Sequence, residues 1–458
     1  MKKYSNVMNT NVTWIPQIPA HWKLQKINAL FTERKKKVSD KDYKPLSVTK
    51  KGILPQLAHA AKSNDSDNRK LVKAGDFVIN SRSDRKGSCG VSKLDGSVSL
   101  INIVLTPRNE LNSEYIHYLL RNYRFSEEYY RNGKGIVADL WTTRYSEMRT
   151  ILIPVPPRAE QDQIVRFLDW KVSEINRLIR IKKNQITGYR EYEKKVINDK
   201  VLYGLQEAPL RESGNYWVGK IPTNWKIIKL GKFCSFQNGI SESGNFFTSG
   251  TPFVGYSDVY RHLEIPKYVK GVAKANEQQQ EIFSVRKGDI FFTRTSESIE
   301  EIGMAAVCKH TIKDAVFSGF LIRCRPRMPL INEDYMKYYL QIPAVRNHFS
   351  SMMNIVIRAS LGQNLLKQMP VVVPPLKEQK EIAEFLDAMH ERFLRLITTN
   401  EEEISMLEVL RSTLISDVVT GKIDVRNIPV PAYEHVDGMV ADDGEDNDEE
   451  TGIPGEED

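Results

Sequence analysis

Two long stretches of the chain place apolar and polar residues with the spacing of paired helices. After Pro157 no proline occurs until Pro209, and after Pro375 none occurs until Pro429. Within both stretches apolar residues follow a seven-residue repeat, which is typical of a coiled coil. We predict helices over 158–205 and 374–426. Their shared core is predicted to include Leu168, Ile175, Leu178 and Tyr189 from the first helix and Leu386, Phe393, Leu396 and Leu407 from the second.

Polar residues interrupt both apolar stripes at matched points. Lys182 and Gln185 break the first stripe, and Asn400 and Glu403 break the second, 218 positions later in each case. If the helices pair in antiparallel orientation, their midpoints meet and these residues form a polar layer that sets register and orientation. The alternative is that they are exposed positions on irregular amphipathic helices.

The matched breaks belong to a repeat that covers most of the chain. The repeated segments, in chain order, are IPAHW (18–22) and IPTNW (221–225), VKAGDFVINSR (72–82) and VRKGDIFFTR (285–294), EYIHYL (114–119) and DYMKYY (334–339), and PPRAEQDQIVRFLD (156–169) and PPLKEQKEIAEFLD (374–387). Short apolar runs such as FVINS and DIFFTRT, bounded by Gly and Asp, indicate strands. Each half therefore combines a mixed α/β part with one long helix.

The predicted fold class is mixed α/β, or α+β. Two repeated α/β parts are joined by two long antiparallel coiled-coil helices with a pseudo-two-fold axis. The predicted domains are 1–157 and 206–373 for the α/β parts, 158–205 and 374–426 for the helices, and 427–458 for an acidic tail.

The charge of the chain is unevenly distributed. The net charge is +8, but residues 427–458 contain twelve acidic residues and no Lys or Arg, which leaves +20 on residues 1–426. A body this basic suggests a polyanionic partner, and nucleic acid is the first candidate. The acidic tail is predicted to be disordered. It is either a solubility appendage or a mimic of phosphate charge that competes for the basic surface.

Cysteine usage and the N-terminus indicate the compartment. The four cysteines are scattered without a pairing or zinc-binding spacing, which favours reduced thiols and no metal site. The N-terminus lacks the apolar region of a secretory signal, and no apolar run is long enough to span a membrane. We expect a cytoplasmic protein.

The order of the repeated segments resembles the specificity subunit of type I restriction–modification systems. The similarity lies in the IP-x-x-W openings, in KGDIFFTRTSE, and in IPVPPRAEQDQIV and VVVPPLKEQKEIA with the long helices that follow them. It covers residues 12 to about 426. The resemblance implies two target recognition domains that each read one half of a split DNA site, while the helices set the spacer between the halves.

The resemblance also implies partners and cofactors. Two modification (methyltransferase) subunits would dock on the helices, and restriction (translocase–nuclease) subunits would complete the complex. This chain would be non-catalytic and hold no cofactor. S-adenosylmethionine would belong to the modification subunit, and ATP and Mg to the restriction subunit.

Loops that follow the predicted strands supply the candidate DNA-binding residues. Arg side chains match guanine, amides match adenine, and Lys, Arg and hydroxyl groups match phosphates. Their positions in the two halves suit loops that face DNA in the resembled family. The candidates in the first half are Arg82, Ser83, Arg85, Lys86, Lys134, Thr142, Thr143 and Arg144, and in the second half Arg294, Thr295, Ser296, Glu297, Arg358, Ser360, Gln363 and Asn364.

Two other classes of function are less well supported. A nuclease site can be drawn through Asp76, Asp84 and Lys86, but the second copy keeps only Asp289. A methyltransferase needs an Asn/Asp-Pro-Pro-aromatic motif, and an ATPase needs a GxxxxGK[ST] loop; the sequence has neither. A coiled-coil scaffold that binds no nucleic acid would explain the helices and the repeat, but not the basic body.

Overall fold

The computed structural model describes residues 2–56, 67–108, 111–135, 141–242, 244–296, 302–351 and 359–437. The chain divides into two compact units. Unit 1 consists of Met1–Asn184 and Asn400–Asp458, and unit 2 consists of Gln185–Thr399. Each unit therefore contains one α/β part and one half of each long helix.

The α/β part of unit 1 is built from short strands and helices. Its strands are β1 (Val7–Asn9), β2 (Gln17–Pro19), β3 (Lys23–Lys26), β4 (Phe31–Glu33), β5 (Lys37–Val38), β6 (Leu46–Thr49), β7 (Gly52–Pro55), β8 (Arg69–Val72), β9 (Phe77–Asn80), β10 (Cys89–Val91), β11 (Gly96–Val98), β12 (Asn102–Pro107) and β13 (Leu152–Val155). Its helices are α1 (Ile27–Leu30), α2 (Ser113–Arg121), α3 (Tyr123–Arg131) and α4 (Tyr145–Met148).

The long helix α5 (Arg158–Tyr203) leads into the α/β part of unit 2, and the long helix α12 (Leu376–Val419) follows that part. The strands of unit 2 are β14 (Leu210–Glu212), β15 (Lys220–Pro222), β16 (Lys226–Lys229), β17 (Cys234–Asn238), β18 (Thr251–Val254), β19 (Gly271–Ala273), β20 (Ile290–Thr293), β21 (Thr295–Ser296), β22 (Ala305–Val307), β23 (Val316–Phe317), β24 (Leu321–Pro326), β25 (Ala359–Ser360) and β26 (Pro370–Val373). Its shorter helices are α6 (Leu230–Phe233), α7 (Tyr256–Tyr260), α8 (Glu277–Ile282), α9 (Glu333–Tyr339), α10 (Pro343–Ser351) and α11 (Gln363–Gln368).

The sheets of the two units have matching strand orders. The main antiparallel sheet of unit 1 has the order β4-β12-β9-β10, and that of unit 2 has the order β17-β24-β20-β22. The strand before each long helix pairs with an early strand, β13 with β3 and β26 with β16. A short hairpin opens both parts, β1 with β2 and β14 with β15. The repeat in the sequence is thus a repeat of the fold, as predicted.

The two long helices pair within each unit. In unit 1 the Nζ of Lys182 lies 2.5 Å from the Oε2 of Glu403, and the side chain of Arg411 donates to Asn176 at 2.7 Å. In unit 2 the ring centroids of Tyr189 and Phe393 are 6.1 Å apart. Residue numbers fall along α12 as they rise along α5, so the pairing is antiparallel. The contact of Lys182 with Glu403 matches the polar layer predicted from the sequence.

Burial along the helices differs from the predicted stripe at one matched pair of positions. Leu168, Ile175, Leu386 and Phe393 are buried, and Tyr189 and Leu407 are half-buried. The prediction was wrong for Leu178 and Leu396, which are 47% and 37% exposed. Ile179 and Ile397, which lie four residues after Ile175 and Phe393, are buried instead. The buried positions keep the seven-residue spacing, from Leu168 to Ile175 and from Ile179 to Ile186, and Leu178 lies beside this seam.

The repeated PPxxEQ motif has the same structural role in both units. Glu160 accepts a hydrogen bond from the indole of Trp22 at 3.0 Å, and Glu378 accepts one from Trp225 at 2.9 Å. The next residue bridges two loops in each unit. The side chain of Gln161 donates to the carbonyl of Pro156 and accepts from the amide of Asn112. The side chain of Gln379 donates to the carbonyl of Pro374 and accepts from the amide of Asn332. These contacts tie the IP-x-x-W segment and the helix start together.

A buried tyrosine joins each α/β part to the end of a long helix. The Tyr115 hydroxyl in unit 1 lies 3.1 Å from the carbonyl of Pro154 and 3.3 Å from that of Val419. The Tyr335 hydroxyl in unit 2 makes the same two contacts, with Val372 at 3.2 Å and with Val201 at 3.1 Å. Burial raises the pKa of both hydroxyl groups, so they remain donors.

The second long helix ends earlier than predicted, at Val419 rather than at 426. Gly421 follows in the left-handed region, with φ of +75°, where glycine commonly ends a helix. Gly204, with φ of +81°, follows the end of α5 in the same way. Both glycines allow the chain to turn back onto the α/β part.

Residues 427–437 form an ordered segment on unit 1, which we call the strap. The side chain of Gln163 donates to the carbonyl of Ile428 at 2.8 Å, and that of Asn176 donates to the carbonyl of Val436 at 3.0 Å. Val436 is buried. The prediction that a disordered tail begins at residue 427 is therefore wrong for the strap, because α5 supplies donors and apolar contacts for it. Residues 438–458 lie outside the described residues.

We expect the substitution Tyr335→Phe to lower the free energy of unfolding by about 1–3 kcal/mol, because it removes a buried hydroxyl whose one hydrogen is shared by two carbonyl groups. Urea denaturation of the full chain measures the change. The matched control is Tyr216→Phe, since Tyr216 is 88% exposed. Equal unfolding curves for the two variants would contradict the role given to the Tyr335 hydroxyl.

Candidate nucleic-acid interface

The two candidate loops of the first half meet in the structure of unit 1. Arg82 and Lys134 each form a β-bridge with Thr142. The amide of Lys134 donates to the carbonyl of Thr142, and the amide of Thr142 donates to the carbonyl of Lys134, both at 2.9 Å. The amide of Ser83 donates to the carbonyl of Trp141 at 3.0 Å. Segments separated by about fifty residues thus form one surface at the end of β9.

Thr143 anchors this surface from inside. It was predicted to bind DNA, but its side chain is 2% exposed and its hydroxyl donates to the carbonyl of Tyr129 at 3.0 Å. The Tyr129 hydroxyl donates to the carbonyl of Thr143 at 2.9 Å. Burial raises the pKa of Tyr129, which keeps the hydroxyl protonated. Thr143 therefore holds the loop and does not face solvent, which corrects the prediction for this residue.

The cations of unit 1 lie around these bridges with their charged ends in solvent. Arg82 pairs with Asp84 at 3.0 Å, and Lys86 pairs with Glu127 at 2.6 Å. Lys134, 80% exposed, lies 3.6 Å from Glu147, and Arg144 is exposed at the start of α4. Arg85 is half-buried. Exposed pairs of this kind stabilise by about 0–1 kcal/mol, so phosphate can compete for these cations.

The corresponding loops of unit 2 meet in the same way. Thr295 pairs with Ser360 between β21 and β25, as Arg82 pairs with Thr142 in unit 1. The amide of Leu361 donates to the carbonyl of Arg294 at 2.7 Å, as the amide of Thr143 donates to that of Ser81. Leu361 is buried like Thr143.

This pairing fixes the register between the two copies. Arg294 occupies the position of Ser81, and Thr295 occupies that of Arg82. The repeated segments have the same offset, since Gly75 aligns with Gly288 and Ser81 with Arg294. A shift of one residue in an extended segment turns a side chain to the opposite face. The two arginines therefore lie in neighbouring but inequivalent positions of the repeated frame.

The remaining candidates of unit 2 are placed as follows. Arg294 and Thr295 are half-buried, Asn364 is exposed, and the side chain of Gln363 donates to Asn238 at 2.9 Å. Glu297 and Arg358 lie outside the described residues. Asn238 was missed by the sequence analysis. It ends β17, 125 residues before Gln363, and only the folded chain brings the two amides together.

The alternative nuclease site is not assembled in unit 1. Asp76 is buried and accepts two bonds from the guanidinium of Arg34, at 2.7 and 2.9 Å, and one from Thr106 at 2.9 Å. In unit 2 Asp289 is held by Arg325 in the same manner, at 2.6 and 2.7 Å. These carboxylates brace the main sheets.

Among the described residues, no group of three or more His, Cys, Asp or Glu side chains is placed to hold a metal ion. No helix within the same residues is long and apolar enough to cross a membrane.

Comparisons with known proteins point to one family. Residues 222–406 match the family model described as type I restriction modification DNA specificity domain. Over 336 residues the chain is 23% identical to a putative type I restriction enzyme MjaX specificity subunit of Methanocaldococcus jannaschii, with 71% of each protein covered. Over 295 residues it is 24% identical to the type I restriction enzyme EcoKI specificity subunit of Escherichia coli K12, covering 61% of this chain and 59% of that protein.

Solved structures show the same fold. A structure from work on complex assembly and conformational transition of the type I R-M system has a TM-score of 0.66 and 16% identity, over 89% of this chain and 99% of that one. The HsdS subunit of Thermoanaerobacter tengcongensis has a TM-score of 0.51 and 18% identity, over 89% and 98%. Residues 222–406 are therefore similar to the type I restriction modification DNA specificity domain, and most of the chain is similar to specificity subunits of type I restriction enzymes.

Proposed function

We propose that this chain is the sequence-specific DNA-recognition subunit of a type I restriction–modification complex, and that each unit reads one half of a bipartite, asymmetric DNA site. The observation that supports this best is the repeated frame with unlike loops. The same backbone bridges join Arg82 to Thr142 and Thr295 to Ser360, while the side chains around them differ between the units. Two equal frames with different loops suit two different half-sites.

In this proposal, different side chains account for the affinity for DNA and for the choice of DNA sequence. The charge of +20 on residues 1–426 supplies non-specific attraction to phosphates, which weakens as salt rises. Loop side chains that reach base edges supply the choice of sequence. In unit 1 the candidates are Arg82, Arg85, Lys86 and Arg144. In unit 2 the candidates include Arg294.

The chain is proposed to act without catalysing a reaction itself. Two modification subunits dock on α5 and α12 and bring S-adenosylmethionine, and restriction subunits bring the ATP and Mg needed for translocation and cleavage. The matches to specificity subunits support this division of roles. The long helices also set the spacer between the half-sites.

The direct test is to map methylated bases in DNA from cells that contain the chain and its modification subunits. We expect a split motif with a methylated adenine in each half, which disappears when this chain is deleted. Methylation that does not depend on the chain would contradict the proposal. Indifference of the complex to mixed duplex DNA at low salt would instead favour a scaffold.

We expect Arg294→Ala to relax discrimination in the half-site of unit 2 only. A lost contact between Arg and a guanine costs about 1–3 kcal/mol of discrimination. Arg82→Ala is the matched variant and should affect only the other half-site. Binding of the complex to duplexes substituted at each position gives both profiles. Equal losses in both half-sites from either variant would argue against independent recognition units.

We expect deletion of seven residues from the middle of each long helix to shorten the preferred spacer by about three base pairs, because seven helical residues span about 10.5 Å and a base pair spans about 3.4 Å. Removing equal lengths from α5 and α12 keeps them paired. Selection from duplexes with variable spacers measures the change. An unchanged spacer would refute the role of the helices as a ruler.

A further inference from the structure

Two amide side chains of unit 2 form a pair beside the candidate loops. Gln363 is the first residue of α11, and Asn238 is the last residue of β17. The Nε2 of Gln363 donates to the Oδ1 of Asn238 at 2.9 Å. Both residues are half-buried, so each keeps some surface exposed to solvent.

The backbone around Asn238 is held firmly. Asn238 pairs with Ile322 in the main sheet, and the amide of Ile240 donates to the carbonyl of Phe317 at 2.9 Å. Between them, a Cβ on Gly239 would lie 2.1 Å from the carbonyl oxygen of Ser318, so only glycine fits there. The close approach of these two segments fixes the place from which the Asn238 side chain extends.

Gln363 directly follows the loop that forms the candidate interface. Leu361, two residues earlier, is buried and bonds the carbonyl of Arg294 at 2.7 Å. Ser360 pairs with Thr295. Leu366, three residues later in α11, is buried. The amide pair therefore joins the end of β17 to the two segments whose counterparts in unit 1 carry Arg82 and Thr142.

The mutual hydrogen bond uses only part of the capacity of Gln363. It takes one of the two Nε2 hydrogens and leaves the other hydrogen and the Oε1 acceptor outside this bond. A fixed donor and acceptor on one amide are what an adenine requires in the major groove, since its N6 donates and its N7 accepts. With the Oδ1 of Asn238 facing Gln363, the bond determines which way the Gln363 amide faces, because turning Gln363 alone would place two acceptors together.

The matching described positions of unit 1 carry no such pair. In the two main sheets Cys234 pairs with Pro326 and Phe31 pairs with Pro107, so Cys234 and Phe31 occupy matching positions. Four residues further along, Lys35 therefore occupies the position of Asn238. Tyr145, the first residue of α4, corresponds to Gln363, the first residue of α11. Neither Lys35 nor Tyr145 carries an amide, so the half-site of unit 1 provides an internal control.

We propose that Gln363 reads an adenine in the half-site of unit 2, and that Asn238 is the positioning residue that holds its amide in the reading orientation. This inference rests on the proposed DNA-recognition function and adds to it one base type and one residue. Asn238 acts through Gln363, so its effect should be confined to a single base pair.

The test measures binding of the complete complex to a duplex with the mapped site and to duplexes substituted at each position of both half-sites. We expect Gln363→Ala and Asn238→Ala each to reduce discrimination at the same A·T pair, by roughly fivefold to a hundredfold. The double variant should lose no more than Gln363→Ala alone, because the two residues act as one group. The slope of affinity against salt should stay unchanged, since no phosphate contact is removed.

A conservative variant separates positioning from a general structural effect. Asn238→Asp keeps an oxygen that accepts from Gln363, so discrimination at the A·T pair should return while overall affinity falls equally for every sequence. Full discrimination in Asn238→Ala, or losses that reach the half-site of unit 1, would overturn the inference. Absence of sequence preference in the unsubstituted complex would instead refute the proposed function itself.

Discussion

The architecture depends on a hydrogen bond that links each α/β part to a helix belonging to the other half of the sequence. The Tyr335 hydroxyl connects the strand before α12 with the end of α5, and Tyr115 connects the strand before α5 with the end of α12. Neither α/β part is thus closed by its own helix alone. Glu160 bonds Trp22 and Glu378 bonds Trp225, which attaches the start of each long helix to its α/β part. These bonds are the same in both units, whereas the loops of the two units differ.

Much of this frame could be predicted from the sequence because it is written twice. Shared strings in the same order indicate a shared fold, and proline-free stretches with apolar stripes indicate the helix pair. The prediction failed for Leu178 and Leu396, which lie one residue before the buried Ile179 and Ile397 and therefore face away from the seam. It also placed the tail boundary too early, because composition alone does not reveal that Gln163 and Asn176 offer donors to the strap.

The candidate interface was predictable only in part. Sequence placed Arg82 and Thr142 in loops, but not in contact with each other, because their pairing depends on the sheet between them. Burial of Thr143 follows from its bond to Tyr129, which no local pattern indicates. Asn238 could not be found, since its partner lies in a distant segment.

The strap has a consequence for the order in which the chain can be completed during synthesis. Unit 2 is one continuous segment, whereas unit 1 needs residues 400–437 to cover Ile164, Leu168 and the rest of its helix core. Domains generally fold as units while the chain is being made. Synthesis of unit 1 begins before that of unit 2 and is completed after it, so the α/β part of unit 1 stays with an uncovered helix until residues 400–437 have left the ribosome.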